Sequence, residues 1–334
     1  MDAARVWLEF GVALLVIGFA GSRLARFGDI IGERTGLGGT WVGLMLVATV
    51  TSLPELVTGL SAVALADEPD IGVGALLGSC VFNLLILALL DVLTPERSIF
   101  ARVRRGHERA AAYSIALLMV AGTGIILNGR YGLPGAVGVG VTTPLIFVLY
   151  VVFMRSLFQF EKQQMEAVSE TDEAAPPLRD AVIGFWISAM AVVAVGLWLP
   201  FVADDMASVM GVEETFVGTL FVAFATSLPE LVVTLAALRI GAVNMAVSNI
   251  LGSNLFNVLI LVPEDFFYTS GPILGAVSPI QLATAASAIA MSSFAILALR
   301  SPPRRRLFGV LGWIVFPLVA IYLANAWVLF LDGT

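Results

Sequence analysis

Two glutamates, Glu55 and Glu230, lie near the middle of long apolar stretches, and each directly follows a proline. Both belong to the hexapeptide TSLPEL, which occurs at residues 51–56 and again at residues 226–231. Because proline has no N–H and its ring crowds the preceding turn, the carbonyl four residues earlier is predicted to lose its helical partner. Each copy thus offers carbonyl, hydroxyl and carboxylate oxygens. Such ligands suit Ca²⁺, Na⁺ or Mg²⁺ better than zinc or copper.

A second pair of segments repeats downstream of the two hexapeptides. LGSCVFNLLIL at residues 77–87 matches LGSNLFNVLIL at residues 251–261 at eight of eleven positions. The chain is therefore a duplication, with one motif at residues 48–83 and its copy at residues 223–257. Besides the two glutamates, the candidate site residues that the copies share are Thr51, Ser52, Ser79 and Asn83 in the first and Thr226, Ser227, Ser253 and Asn257 in the second.

The charge of the two glutamates constrains what the site can do. A carboxylate at the centre of a bilayer costs roughly 2.5–3.5 kcal/mol on insertion scales. Two carboxylates that face each other repel, and one of them tends to keep its proton. One divalent or two monovalent cations cancel both charges. A site that is neutral when filled and doubly negative when empty resists reorientation while empty, which favours exchange over leak.

Composition identifies the chain as an integral membrane protein. Of 334 residues, 59% are hydrophobic and only 13% are charged, and the mean hydropathy is +0.96. The single cysteine, Cys80, excludes an intramolecular disulfide, and the single histidine, His107, lies in an arginine-rich loop, so no HExxH motif exists. We interpret the apolar N-terminal stretch as the first spanning helix rather than a cleaved signal.

The predicted fold is an all-α membrane protein of about ten transmembrane helices, arranged as two inverted five-helix repeats. The repeats cover residues 1–157 and 181–334, and a cytoplasmic linker covers residues 158–180. Five spans per half make the second copy run opposite to the first, as in many secondary transporters. The predicted spans are residues 5–25, 40–66, 71–93, 109–127, 132–155, 181–202, 215–239, 244–263, 274–299 and 307–331.

The distribution of charge predicts the orientation of these spans. Alternate loops hold 16 of the 18 basic residues, so both termini are predicted to face outward. Every acid other than Glu55 and Glu230 is assigned to a loop or a helix end. Asp91 and Glu161 are assigned to inward loops and their flanks, and Glu264 and Asp265 to ends and outward loops.

The doubled motif resembles that of the cation/Ca²⁺ exchanger superfamily, specifically its prokaryotic-type sodium/calcium exchanger family. TSLPEL matches the core of that family's alpha-repeat, usually GTSxPE, and GSCVFN and GSNLFN match its second element, usually GNxxGSN. The resemblance extends over essentially the whole chain. It implies a secondary active antiporter that exports cytoplasmic Ca²⁺ against Na⁺ entry by alternating access, with its first and sixth helices sliding across the rest.

The resemblance also implies a role for each candidate residue. Glu55 and Glu230 are the expected Ca²⁺ ligands, assisted by the backbone carbonyls of Thr51 and Thr226. Asn83 and Asn257 are the expected polar pair in the middle of the site. The residues expected at the Na⁺ sites, together with the two glutamates, are Ser52, Ser227, Ser79 and Ser253.

This sequence departs from the family pattern at several positions. Val50 and Ala225 replace the usual glycine before Thr-Ser, and Ala75 and Cys80 replace two asparagines of the first copy. Asn257 lies where relatives often have aspartate. With only two acids in the site, the Na⁺ stoichiometry and the cation selectivity stay open.

Alternative interpretations exist for both the residues and the protein. Small residues also let helices pack closely, and asparagines can hydrogen-bond between helices. A proton/calcium or potassium-dependent antiporter, another divalent cation carrier and, more remotely, an intramembrane protease are the rival functions. We expect no enzymatic activity, no cofactor, no nucleic acid and no obligate protein partner. The expected partners are inorganic cations and the lipid bilayer, with the protein in the plasma membrane.

Overall fold

The computed structural model describes residues 3–103, 106–131, 138–165, 176–210 and 224–332, which are mainly helical. Residues 224–226 are also helical, and a 3-10 turn covers Ile99–Ala101. The longer helical segments and the α10 turn are α1 Ala3–Thr35, α2 Gly38–Thr51, α3 Leu53–Ala64, α4 Pro69–Val92, α5 Gly106–Tyr131, α6 Thr142–Met165, α7 Leu178–Met210, α8 Leu228–Arg239, α9 Val243–Phe267, α10 Ile273–Ala276, α11 Gln281–Arg300 and α12 Val315–Asp332.

The prediction of a helical membrane protein is confirmed. Within the described ranges, seven helices are long and apolar enough to cross a bilayer, and α2 with α3 adds an eighth if the bent pair is one span. The apolar helix α12 is shorter than these, and residues 215–223 of the predicted seventh span lie outside the described residues. The count of ten spans and the inverted relation of the repeats therefore stay predictions.

Two features differ from the predicted layout. The strands β1 Arg306–Leu307 and β2 Leu311–Gly312 form an antiparallel ribbon between α11 and α12, where the sequence indicated only helix and loop. Helices α6 and α7 extend into both ends of the predicted linker 158–180. Residues 166–175 of that linker, and residues 132–137 of the fifth predicted span, lie outside the described part of the chain.

Contacts divide the chain into two compact units that do not coincide with the two sequence repeats. The first unit contains residues 1–54, 102–107 and 156–253, and the second contains residues 55–101, 108–155 and 254–334. Each unit thus draws on both copies of the repeated motif. The division falls between Pro54 and Glu55 in one copy and between Ser253 and Asn254 in the other.

The first unit is organised around the pairing of α1 with α7, which pack along each other and on α8. Ala13 and Ile17 from α1 join Leu199 from α7 and Leu228 from α8 in a buried apolar cluster. Gly21 allows α1 to approach α8, because a Cβ at this position would lie 2.9 Å from Val233 Cγ2. The close packing holds α8, which carries Glu230, in place.

The second unit is organised around α4, which packs against α11 and α12. A buried ion pair lies at the end of α4 that is predicted to be cytoplasmic. It joins Asp91 to Arg306 of the β-ribbon, with Arg306 Nη2 and Asp91 Oδ1 3.2 Å apart. Asp91 Oδ1 also accepts hydrogen bonds from Ser98 Oγ at 2.6 Å and the Ile99 N–H at 3.2 Å. Arg306 Nη1 donates to the carbonyls of Asp91 and Val310, each at 2.8 Å.

Several acids assigned to loops or helix ends are buried, and Glu264 and Asp265 lie at the helix end rather than in an outward loop. Helix α9 continues through Pro263 to Phe267 and so contains both residues. Asp265 accepts hydrogen bonds from the Gly140 and Ile273 N–H groups, each at 2.7 Å. Its carboxylate therefore ties α9 to the segment before α6 and to the first residue of α10. Asp91 and Glu161 are also buried, at 0% and 1% exposure.

We predict that Arg306→Ala lowers the free energy of unfolding by about 3–5 kcal/mol, because Asp91 would keep a buried charge without its partner. The neighbouring Arg305 is exposed, so Arg305→Ala serves as the control. Thermal unfolding of the purified variants in detergent measures the difference. Equal midpoints for the two variants would contradict a stabilising role for the ion pair.

Candidate cation site

Both copies of TSLPEL interrupt their helices at the same serine. Ser52, between α2 and α3, has φ −92° and ψ 7°, and Ser227, before α8, has φ −87° and ψ 1°. These angles lie in the sparsely populated bridge region, where active-site residues are often found. The two copies thus share a backbone conformation as well as a sequence, and α2 and α3 bend by 42° at the first break.

The break changes the expected role of the prolines. Pro54 and Pro229 occupy the second position of a new helix, where a missing N–H removes no helical hydrogen bond. A backbone N–H at the Ser52 cap is directed to the carbonyls of Ala48 and Val50. The Val50 carbonyl, which the sequence predicts to lose its partner, therefore has a capping contact.

The same break places both glutamates at the start of a helix. Glu55 lies in the first turn of α3, and Glu230 lies in the first turn of α8. The first turn of a helix carries unpaired N–H groups and the positive end of the helix dipole, which typically favours a carboxylate by 0.3–1 kcal/mol. The helix geometry thus offsets part of the cost of burying a negative charge.

In the first unit, Glu230 lies within a hydroxyl cluster drawn from both copies. Ser52 Oγ donates a hydrogen bond to Glu230 Oε1 at 2.8 Å, and Ser253 Oγ donates to the same oxygen at 3.4 Å. Thr51 Oγ1 lies 3.5 Å from Ser253 Oγ. All four of these residues are fully buried. Among the described residues, Glu230 Oε2 has no hydrogen-bond partner. A buried carboxylate oxygen without a donor is an available cation ligand.

Asn249 joins this cluster, although it was not among the predicted site residues. Its Oδ1 accepts a hydrogen bond from Thr51 Oγ1 at 3.3 Å, and its Nδ2 donates to Thr234 Oγ1 at 2.9 Å. Asn249 therefore fixes the Thr51 side chain from the opposite copy. The signal in the sequence was its place in the GNxxGSN pattern, where the first copy has Ala75 instead.

The second unit holds the remaining polar side chains of the motif. Asn83 Nδ2 donates to Asn254 Oδ1 at 3.0 Å, and Asn254 Nδ2 donates to the Cys80 carbonyl at 3.1 Å. Asn83 Oδ1 and both amide atoms of Asn257 have no hydrogen-bond partner in the described ranges. Since an unpaired buried amide costs about 1–3 kcal/mol, these groups suit a transient polar ligand better than a packing role.

All ten predicted site residues lie in the described part of the chain, and all ten are buried. Thr51, Ser52, Glu230 and Ser253 meet within the first unit, which also contains Thr226 and Ser227. In the second unit, Asn83 is hydrogen-bonded to Asn254. The predicted site residues that lie in that unit are all buried: Glu55, Ser79, Asn83 and Asn257, at 2%, 0%, 0% and 0% exposure.

Close glycine contacts bring the elements of the first unit together. A Cβ at Gly252 would lie 2.5 Å from the Leu44 carbonyl oxygen and 2.8 Å from Ala48 Cβ, so α2 and α9 approach through a side-chain-free position next to Ser253. Gly196 of α7 packs against both motif prolines, since a Cβ added at this position would lie 2.5 Å from Pro54 Cγ and 3.4 Å from Pro229 Cγ.

The fold matches a solved exchanger structure. The sodium-calcium exchanger NCX_Mj, soaked with 2.5 mM Na⁺ and 10 mM Sr²⁺, aligns with a TM-score of 0.73 at 20% sequence identity. The alignment covers 96% of this chain and 98% of that one. The match defines the class of fold, a helical membrane exchanger fold that extends along almost the whole chain.

Sequence comparison identifies the family. The profile of the sodium/calcium exchanger protein matches residues 5–155 and again residues 181–331, so each match contains one TSLPEL. The chain belongs to the sodium/calcium exchanger family. The prediction made from the doubled motif is thereby confirmed, and the protein is a transporter rather than an enzyme.

Two curated relatives indicate how the similarity is distributed. The inner membrane protein YrbG of Escherichia coli K12 is 29% identical over 318 residues, which is 91% of this chain and 93% of that protein. The sodium/calcium exchanger MaX1 of Methanosarcina acetivorans is 48% identical over 63 residues, which is 19% of this chain and 18% of that protein. Similarity is therefore both extensive along the chain and locally high.

We predict that Gly252→Ala reduces the stability and the transport rate, because the added Cβ would force α2 and α9 apart and move Ser253 away from Glu230. Overpacking of this kind typically costs about 1–3 kcal/mol. Gly78 occupies the same position in the first copy, and among the described residues nothing outside its own helix lies within 4 Å of its Cβ position. Gly78→Ala is thus the matched control.

Thermal unfolding and ion flux of the two variants test this contact. We expect a lower unfolding midpoint and slower flux for Gly252→Ala only. If Gly78→Ala is impaired to the same degree, the effect belongs to helix composition and not to the contact between α2 and α9.

Proposed function

We propose that the protein is a Na⁺/Ca²⁺ antiporter that exports cytoplasmic Ca²⁺ as Na⁺ enters, by alternating access. The observation that carries the proposal is the cluster of Thr51, Ser52, Ser253 and Glu230, which combines hydroxyls of both copies with a buried carboxylate. All the side-chain atoms that this cluster offers to a cation are hard oxygens. Membership of the sodium/calcium exchanger family supports cation exchange, and the donor set is of the type that Ca²⁺ and Na⁺ share.

Within this proposal, Glu55 and Glu230 ligate Ca²⁺ through their carboxylates, and the backbone carbonyls of Thr51 and Thr226 add further oxygens. Their position at helix starts supports the assignment, because the helix dipole stabilises the empty, negatively charged state. When Ca²⁺ occupies the site, its two positive charges cancel the charges of the two carboxylates.

The serines supply the Na⁺ sites of the proposal, together with the glutamates. The hydrogen bond from Ser52 Oγ to Glu230 Oε1 supports this role, because it brings the two oxygens within 2.8 Å of each other. A cation that displaces this hydrogen bond would contact both oxygens. Asn83 and Asn257 contribute neutral amide oxygens in the middle of the site. The proposed Na⁺ ligands are Ser52, Ser227, Ser79 and Ser253.

Exchange without leak follows from the charge of the empty site. Reorientation of two bare carboxylates through the bilayer centre is costly, whereas a filled site is nearly neutral. The two inverted repeats supply the alternative orientations in this proposal, and the protein lies in the plasma membrane with both termini outside. The excess of basic residues in alternate loops supports this orientation.

We predict that Ca²⁺ uptake into proteoliposomes follows an imposed Na⁺ gradient and does not follow an imposed K⁺ or pH gradient. The measurement is ⁴⁵Ca²⁺ flux under each gradient in turn, with the other two collapsed. Ca²⁺ flux that ignores Na⁺ but follows the pH or K⁺ gradient would replace the proposal with a proton-driven or potassium-dependent antiporter.

We predict that Glu55→Gln and Glu230→Gln each reduce the Ca²⁺ flux at least about tenfold, since a lost charged ligand is worth well over 1.4 kcal/mol. Glu264→Gln makes the same substitution at another fully buried glutamate, 0% exposed, on α9. We expect it to retain transport. Normal flux in either site variant would show that the assigned site is wrong.

We also predict that vesicles loaded with ⁴⁵Ca²⁺ lose almost none of it to a medium without Ca²⁺ and Na⁺, because net efflux would require the empty, doubly negative site to reorient. Tracer efflux into this medium measures the leak against the exchange rate. A leak comparable to the exchange rate would contradict the charge argument while leaving the identity of the ligands unaffected.

A further inference from the structure

A groove in the first unit lies between the first half of α7 and the second half of α1. It has a volume of about 510 Å³, within the range of small-ligand sites. Leu15 and Phe19 from α1 and Ile187 from α7 line it and are 75%, 66% and 65% exposed. Side chains this apolar and this exposed on a spanning helix face lipid rather than water.

A single charged group lines the groove at one end. Arg23 lies over the rings of Phe19 and Phe27, with its Cζ 5.3 Å and 5.9 Å from the ring centroids. In the described part of the chain no acid pairs with this guanidinium. Ser188 is also polar, but its hydroxyl is already satisfied by the Gly184 carbonyl at 2.7 Å. The groove is therefore apolar along its length and has one positive charge without an acidic partner at its end.

The packing of the two helices explains why the groove exists. Phe27 lies directly against Gly184, so a side chain at Gly184 would collide with the ring. The contact holds α1 and α7 together below the groove. Beyond it, the small residues Ala20 and Ala191 leave the space between the helices open.

The length of the groove is close to that of one leaflet of a bilayer. Leu15 and Arg23 are eight residues apart on α1, which is roughly 12 Å along the helix axis at 1.5 Å per residue. One leaflet contributes about 15 Å of the hydrocarbon core. With Leu15 at the bilayer midplane, the Arg23 backbone lies about 3 Å inside the hydrocarbon edge, within reach of the headgroups for a long basic side chain.

The geometry points to a binding site for one anionic phospholipid, with an acyl chain in the groove and its phosphate on Arg23. The charge of the guanidinium and its fixed position over two aromatic rings select a phosphate that carries net negative charge over a zwitterionic headgroup. Arg23 belongs to the side that the positive-inside rule assigns to the cytoplasm, so the lipid comes from the cytoplasmic leaflet. The inference does not depend on which cations the protein exchanges.

The test is native mass spectrometry of the purified protein titrated with dioleoyl phosphatidylglycerol or dioleoyl phosphatidylcholine. We expect the protein to bind phosphatidylglycerol about fivefold more tightly, because both lipids offer a phosphate to Arg23 but only phosphatidylglycerol carries the net negative charge that one basic residue at the membrane surface attracts by about this ratio. Arg23→Gln should abolish this preference. Arg26→Gln removes the same charge from an exposed position outside the groove and should leave the preference intact.

A second pair of variants tests the groove itself. Ala191→Trp fills it and should weaken the binding of both lipids, whereas Ala194→Trp adds the same ring to an exposed position outside it and should not. Arg23→Lys keeps the charge and checks that a loss in Arg23→Gln is not a folding defect. Equal binding of the two lipids, equal effects of the two glutamine variants, or unchanged binding in Ala191→Trp would each overturn the proposal.

Discussion

A carboxylate buried in hydrocarbon must receive its polar partners from the protein, and the hydrogen bond from Ser52 to Glu230 is where this chain meets that requirement. The donor belongs to the first copy of the repeated motif and the acceptor to the second. A cluster that needs both copies cannot form in either one alone. The close approach of α2 to α9 at Gly252, the helix start at Glu230 and the packing of α1 and α7 on α8 all serve to place these two side chains together.

The helix break is the second element of this arrangement. A continuous helix would bond the backbone groups near Ser52 and Ser227 internally and would leave the glutamates in mid-helix, away from any helix dipole. Because the helix is interrupted at the serine, each glutamate lies in the first turn of a new helix. The Ser52 hydroxyl can then hydrogen-bond to Glu230, and the Thr51 hydroxyl lies near Ser253. Proline is well suited to this position because it disfavours the continuous helix but costs nothing in the first turn of the new one.

The sequence located the polar residues of the repeated motif better than their surroundings. TSLPEL and the GSxxFN segments are short, repeated and chemically unusual in apolar stretches, so Glu55, Glu230 and their hydroxyl neighbours could be selected without coordinates. The helical membrane architecture followed from hydropathy. Asn249 and Asn254 were not selected although both occupy asparagine positions of the GNxxGSN pattern, because the first copy has Ala75 and Cys80 there and so offers no repeated pair.

The buried acids show the limit most clearly. Glu264 and Asp265 follow a proline near the end of an apolar segment, and a hydropathy pattern ends the span there. The structure continues α9 through Pro263, and the N–H groups of Gly140 and Ile273, which are remote in sequence or beyond the helix, satisfy the carboxylate of Asp265. Similarly, the partner of Asp91 is Arg306, over 200 residues further along the chain, so no local pattern could pair them.

The contact of Gly196 with Pro54 and Pro229 gives α7 a role that its composition does not suggest. One residue of this helix touches the ring at both interruptions, so a displacement of α7 along its own axis changes the surroundings of both at the same moment. Two motifs that are far apart in the chain thereby share one neighbouring residue. A movement of that residue would reach both without a relay through other side chains, through a point of contact that has no side chain of its own.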